Sequence, residues 1–258
     1  MQSKISLALI NNGYFKFKIN KKKFSEINKL FIKHVSKSLD EKKPNLENTH
    51  LKLSIKHLNQ TRLKIFRNIN KDKKFKSFLY NSVSKYIDMC VGSEIVGSDV
   101  NLSIQYPNDN SSLLSMHSDF FSGESLFQIN LWIPFVNVKK TQSMFIVNPL
   151  NSMSILKKIK NDKNLCFSNI DDKYKKYMKW INLKKGEGLL FSPNCLHGNV
   201  VNMEKKTRWS INIRYKNLYS PYSQIKNEKQ IGTYYKNISL KAVTKFNLKY
   251  NFDEIIKR

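Results

Sequence analysis

The sequence predicts a mainly β fold with flanking helices, and three observations carry that expectation. Short segments alternating apolar with polar residues crowd the middle of the chain: NLSIQY (101–106), LFQINLWIPF (126–135), SMFIV (143–147), GLLF (188–191) and TRWSINIRY (207–215). Turn-forming clusters separate them, among them PNDN at 107–110 and SPN at 192–194. Helical spacing of apolar residues is concentrated in the first ninety positions. Many short strands punctuated in this way suggest an antiparallel sandwich or barrel.

From the N-terminus, YFKFKI (14–19) alternates aromatic or aliphatic residues with Lys, the pattern of a half-exposed strand. Phe24, Ile27, Leu30, Phe31 and Val35 recur at helical spacing, with Ser25 as the candidate cap. Beyond Pro44, the residues Leu51, Ile55, Leu58, Leu63 and Phe66 outline a second amphipathic helix, and Phe75 to Met89 a third. The chain thus divides into a mostly helical N-terminal support (1–97), a β core (98–223) carrying a Lys-rich insertion (151–185), and a basic C-terminal extension (224–258). Helix or strand is expected from Ser239 to Ile256, and the parts are expected to form one folded unit.

The 258 residues suffice for one large domain, and 16 Phe with 12 Tyr supply a core. No run of 18 apolar residues exists, so no membrane-spanning helix is expected. The N-terminal apolar stretch of about five residues is shorter than a signal-peptide core requires. A cytoplasmic protein is therefore expected, and three cysteines (Cys90, Cys166, Cys195) without a CxxC fit a reducing compartment. The net charge is +27, from 46 Lys and Arg against 19 Asp and Glu. Such charge by itself points to nucleic acid or a membrane surface. Its make-up argues otherwise: 41 of the 46 are Lys, while 30 residues are Asn and two are Ala, the signature of AT-rich coding. No Lys or Arg occurs from Tyr86 to Val138, where six acids lie, nor from Gly186 to Glu204.

Those two base-free stretches hold His117 and His197, two of the five histidines. In His117-Ser118-Asp119 the first and third residues of an extended segment face one side, so an imidazole and a carboxylate can meet one ion. His197, in FSPNCLHGN, is the only histidine downstream and can supply a third ligand. Two histidines and one carboxylate leave open positions on an octahedral ion, which suits non-haem Fe(II). A His-x-Asp pair alone is common by chance, and a histidine beside a turn serves equally as a structural hydrogen-bonder. Cys195 has a possible ligand spacing to His197 but reads as a buried thiol.

Arg208 follows His197 by eleven residues. On a strand, Arg208, Ser210, Asn212 and Arg214 share one face, and Trp209, Ile211, Ile213 and Tyr215 the other. A guanidinium fork with a hydroxyl two residues on suits a carboxylate; an exposed polar face is the plainer alternative. In LFQINLWIPF, Gln128, Asn130 and Trp132 share a face that can wall the same cavity, unless Trp132 is core and the amides meet solvent.

The order His-x-Asp, His, then Arg at plus eleven within an R-x-S, over the many-stranded region of residues 98–223, resembles the Fe(II)/2-oxoglutarate-dependent dioxygenases. NLWIPF, SMFIVNPLNS and GEGLLFSPNCLHGNVVN are similar to strands of the phytanoyl-CoA dioxygenase-like branch. RWSINIRYKNLYSPY looks like the oxygenases of sporadic carbohydrate-biosynthesis clusters. The resemblance implies a double-stranded β-helix core, that is, a cupin-like jelly roll. It implies iron on His117, Asp119 and His197, and 2-oxoglutarate with its distal carboxylate on Arg208 and Ser210. It further implies O2 as the third reactant, and Trp132 and Gln128 as pocket lining. The presence of Asp119 favours hydroxylation or another oxidation over halogenation. The implied substrate is a small molecule, a sugar or sugar derivative of a carbohydrate biosynthetic pathway; the lysine charge leaves open an acidic or phosphorylated one, such as a nucleotide-linked sugar. TQSMFIVNPLNS departs from the branch, lacking its Gly-containing turn.

Two other readings remain open at this level. A nucleic-acid dealkylating dioxygenase of the same superfamily also pairs arginines six apart, which would make Arg214 the anchor and Arg208 a helper. The absence of bases around the histidines speaks against a nucleic-acid partner. A non-catalytic metal-binding cupin-like protein would leave Arg208 without a purpose.

Overall fold

The structure, a computed structural model, describes residues 1–161, 171–222 and 227–250. Cys166, Arg258, part of the 151–185 segment and the end of the Ser239–Ile256 element lie outside the described residues.

The N-terminal layer consists of α1 (Gln2–Asn12), β1 (Tyr14–Lys18), α2 (Lys21–Leu39), α3 (Ile55–Lys71) and α4 (Lys73–Val91). Two local expectations are corrected here. The α2 cap is Asn20, not Ser25: the Asn20 side chain accepts from the backbone N–H of Lys22 (3.1 Å) and Lys23 (3.3 Å), so the helix starts a turn earlier. Leu51 does not belong to α3; it ends a 3-10 turn (Leu46–Leu51) and is 74% exposed. The apolar spacing of α2 holds, burying Phe24, Ile27, Phe31 and Val35. Each such side chain contributes about 1.5–3 kcal/mol on burial.

The strands that follow are β2 (Ile95–Gly97), β3 (Asn101–Gln105), β4 (Gln128–Pro134) and β5 (Phe145–Ile146). The Lys-rich segment then holds α5 (Pro149–Asn161), the short α6 (Asp171–Tyr174) and β6 (Lys179–Trp180). The chain continues through β7 (Glu187–Phe191), β8 (His197–Gly198), β9 (Arg208–Asn217), β10 (Lys236–Ser239) and α7 (Ala242–Tyr250). All strand pairings are antiparallel. The larger sheet runs β1-β7-β4-β9-β2-β10, and β3 shares the β2 edge of β9. The smaller sheet is β6-β5-β8.

β9 is the central element. Its register sets Trp132 of β4 opposite Asn212, and Ser103 of β3 opposite Ser210. Trp209, Ile211, Ile213 and Tyr215 are wholly buried in the main core. There Phe31 of α2 stacks on Phe135 (ring centroids 3.6 Å apart) and meets Trp209 edge-on at 6.0 Å. The Trp209 indole N–H donates to Thr49 Oγ1 at 3.1 Å, so its polar atom is satisfied. The opposite, polar face of β3, β9 and β4 is left to line a cavity. Among the described residues no helix is long and apolar enough to cross a membrane.

Candidate active site

His117 and His197 face one another across an antiparallel bridge, each N–H donating to the other's carbonyl at 2.9 Å. Ser118 is extended (φ −122°, ψ 132°), and its buried hydroxyl donates to Pro193 O at 2.9 Å. Asp119 therefore returns to the His117 side, although it opens a 3-10 turn (Asp119–Ser122) instead of continuing a strand. Asp119 Oδ1 lies 3.3 Å from His117 Nε2 and 3.5 Å from His197 Nε2. The three candidate ligand atoms all fall within 4.8 Å of one another.

Both imidazoles are oriented from behind. His117 Nδ1 donates to Ser115 O (2.8 Å) and His197 Nδ1 to Cys195 O (2.9 Å). A carbonyl only accepts, so in the neutral ring the proton sits on Nδ1 and Nε2 keeps a lone pair for an ion, whereas a protonated ring also donates from Nε2 to Asp119 Oδ1. Cys195 thus contributes its carbonyl. Burial pushes its thiol up to about 11, the behaviour of an inert buried side chain. Burial also opposes the Asp119 charge, but His197, hydrogen bonds from both imidazoles and Arg214 hold its carboxyl well below the usual range. For His117, burial is outweighed by hydrogen bonds to Asp119 and to the Ser115 carbonyl, and its pKa is raised.

A buried polar network supports Asp119. Its Oδ2 accepts from Asn130 Nδ2 (2.7 Å) and faces Arg214 Nη2 at 3.5 Å. Arg214 in turn donates through Nε to Glu124 Oε2 at 2.7 Å. Glu124 also receives Gln128 Nε2 (2.6 Å), Tyr234 OH (2.9 Å) and Lys229 Nζ (3.2 Å). Sequence reasoning missed Glu124, whose one signal is that it is an acid in a base-free stretch. Gln128, expected to line the cavity, does not border it. Its amide is drawn away to Glu124 and Asn130, and its carbonyl oxygen accepts from Tyr235 OH. Glu124→Ala should destabilise the fold by about 3–5 kcal/mol in urea unfolding, because it leaves Arg214 and Lys229 short of a buried counter-charge. Glu124→Gln, which keeps the hydrogen-bonding shape, should cost less.

A cavity of about 800 Å3 is lined by His117, Asp119, His197, Trp132, Arg208 and Ser210, with Arg214 also on its wall. The expected face of β9 is therefore the cavity face. Its two arginines differ sharply. Arg214 is balanced by Glu124 and Asp119, which offset burial and raise its pKa. Arg208 is 4% exposed and meets neutral groups: Nη2 donates to Ser103 Oγ (3.1 Å) and Nη1 to Gln142 O (3.4 Å). Among the described residues no carboxylate pairs with it, and its Nε has no acceptor. Burial pushes its pKa down to about 10. The Ser210 hydroxyl beside it is also buried without a partner. A desolvated cation and a hydroxyl, both short of partners and open to one cavity, fit an anion.

No protein-family model matches the chain, and no curated protein matches it in sequence. Solved structures do match in fold. The non-heme monooxygenase ThoJ in its apo form superposes with a TM-score of 0.57 at 10% identity, over 98% of this chain and 95% of that one. EctD from S. alaskensis, solved with 2-oxoglutarate and 5-hydroxyectoine, gives 0.57 at 11% identity over 87% and 79%. HygX from Streptomyces hygroscopicus, with nickel and 2-oxoglutarate bound, gives 0.53 at 8% over 88% and 89%. At these identities the likeness is one of fold, and the chain has the cupin-like jelly-roll architecture with flanking helices that these proteins display.

Proposed function

We propose that the chain is an Fe(II)- and 2-oxoglutarate-dependent oxygenase that oxidises a small molecule in the cytoplasm. The observation that carries this reading is the buried Arg208, paired with no acid among the described residues, in the same cavity as His117, Asp119 and His197. The donor set fits the metal: two imidazole Nε2 atoms and one carboxylate oxygen are the ligands that non-haem iron takes with positions to spare. The pocket fits the co-substrate: the Arg208 fork and the Ser210 hydroxyl would hold the distal carboxylate of 2-oxoglutarate. When bound, iron, 2-oxoglutarate and O2 supply the oxidising power, with succinate and CO2 as co-products.

The remaining residues position and seclude. Asn130 and Arg214 engage Asp119 Oδ2 and leave Oδ1 for the ion. Trp132 and Phe191 wall the cavity against water. Asn59 and Asn101 bring amides able to bind hydroxyl groups to a lining that also carries Ile55, Leu58, Leu113 and Leu114. Together with the likeness to carbohydrate-cluster oxygenases, this supports a sugar or nucleotide-linked sugar as substrate. Nucleic-acid dealkylation is disfavoured, because Glu124 and Asp119 neutralise the arginine that would serve as its anchor. In a non-catalytic cupin-like protein the cost of burying Arg208 would go unanswered.

Protein reconstituted with Fe(II) under argon and then exposed to air with 2-oxoglutarate should form succinate above the metal-free control. Absence of both succinate and measurable 2-oxoglutarate binding would remove this reading.

A further inference from the structure

Three of the chain's five arginines, Arg62, Arg208 and Arg214, line one cavity. Elsewhere this chain relies on Lys for positive charge, so guanidinium geometry is concentrated at this site. Arg208 and Arg214 have duties above; Arg62 does not. It projects from α3 on the wall formed with Ile55, Leu58 and Asn59. Its Nε and Nη2 donate to Asn59 Oδ1 (3.2 and 2.8 Å), and its Nη1 to Leu102 O of β3 (3.3 Å).

These bonds use three of the five guanidinium N–H groups and leave one on each terminal nitrogen. No carboxylate pairs with Arg62 among the described residues. Asn59 accepts through Oδ1, which leaves its NH2 as a donor. Asn101, next to Leu102 on β3, brings a second amide to the same cavity. The acid of the adjoining loop, Asp109, is turned inward onto Ser111 N (2.7 Å) and the hydroxyls of Ser111 and Ser112 (3.0 and 3.4 Å).

We infer that Arg62, Asn59 and Asn101 form a subsite for a phosphoryl group of the substrate, distinct from the Arg208 pocket. The inference rests on the proposed oxygenase reading for the word substrate, and it narrows the substrate class to phosphorylated or nucleotide-linked molecules. Three donor side chains on two elements suit a tetrahedral group with several terminal oxygens. A planar carboxylate is matched by one fork alone.

Arginine Nε–Hε NMR signals of the metal-free protein provide the test, since five arginines give at most five signals, assignable by substitution. Inorganic phosphate should move the Arg62 signal saturably, together with the side-chain amides of Asn59 and Asn101. Arg62→Gln and Arg62→Lys should each weaken the amide response by at least about tenfold, because neither keeps the fork. Arg208→Gln should leave it unchanged, and malonate should act at least about tenfold more weakly at Arg62 than phosphate. An unmoved Arg62 signal, unaffected amide shifts in both Arg62 variants, or equal response to malonate would overturn the phosphoryl assignment. The Arg208 signal separates the two proposals. If 2-oxoglutarate moves it while phosphate leaves Arg62 still, the subsite fails alone. If phosphate acts at Arg62 while 2-oxoglutarate binds nowhere and the Fe(II)-loaded protein forms no succinate, the oxygenase reading fails and the subsite stands.

Discussion

Arg208→Met should weaken 2-oxoglutarate binding by more than about a hundredfold without lowering the stability of the ligand-free protein. The first effect follows from removing a desolvated, bidentate charge partner, a loss of about 3 kcal/mol or more. The second follows from what Arg208 meets when no ligand is present: among the described residues, Ser103 and the Gln142 carbonyl but no acid, with Nε lacking an acceptor. An uncompensated buried charge is a cost that Met, of similar length, does not carry. Calorimetric titration with 2-oxoglutarate and thermal unfolding of both proteins without it would test the pair of effects. Arg208→Lys should fail to restore binding, because a single ammonium cannot reproduce the fork. Equal 2-oxoglutarate affinity in Arg208→Met, with a large loss in Arg214→Met, would move the anchor to Arg214.

His197→Ala should abolish tight binding of Fe(II) or a substitute divalent ion, lowering affinity by well over a hundredfold. Asn130→Ala, which releases Asp119 Oδ2 but leaves all three ligands, should cost about 10–100-fold, the range for an outer partner of a metal ligand. The same titration should depend on pH. The His117 pKa is raised above 6.5, and the ion needs the neutral imidazole, so metal affinity should fall as pH drops through the raised value. Stability of the metal-free protein runs the other way. The protonated His117–Asp119 contact contributes fully below pH 6.5 and is lost as pH rises through the folded-state pKa. Metal titrations and unfolding midpoints at several pH values would show both slopes, and a pH-independent metal affinity would contradict the assignment of His117.

Much of the site was legible because strand geometry is local. TRWSINIRY alternates with period two, and that alone sends Arg208, Ser210, Asn212 and Arg214 to one face. His117 and Asp119 share a side even though no strand continues through them, because one extended residue, Ser118, is enough to bring the chain back. Other features were not legible. Ser25 and Asn20 are both capable caps, and the choice between them was made by where the sheet hands the chain to α2. Gln128 carries the same alternation as Trp132, yet Glu124 and Tyr235 claim its amide and draw it off the cavity.

The sequence by itself determined the alternation, the candidate ligands and the concentration of charge away from the segments that bear them. Only the tertiary structure decided which arginine is paired with acids and which, among the described residues, is not. Arg208 and Arg214 have the same chemistry on the same face of β9, six residues apart. A side chain's charge acquires its meaning from what packs against it: Glu124, 90 positions earlier in the chain, neutralises Arg214, while no acid reaches Arg208 among the described residues. Periodicity in a strand encodes direction, but the pairing of charges across a buried site depends on which distant segments fold together.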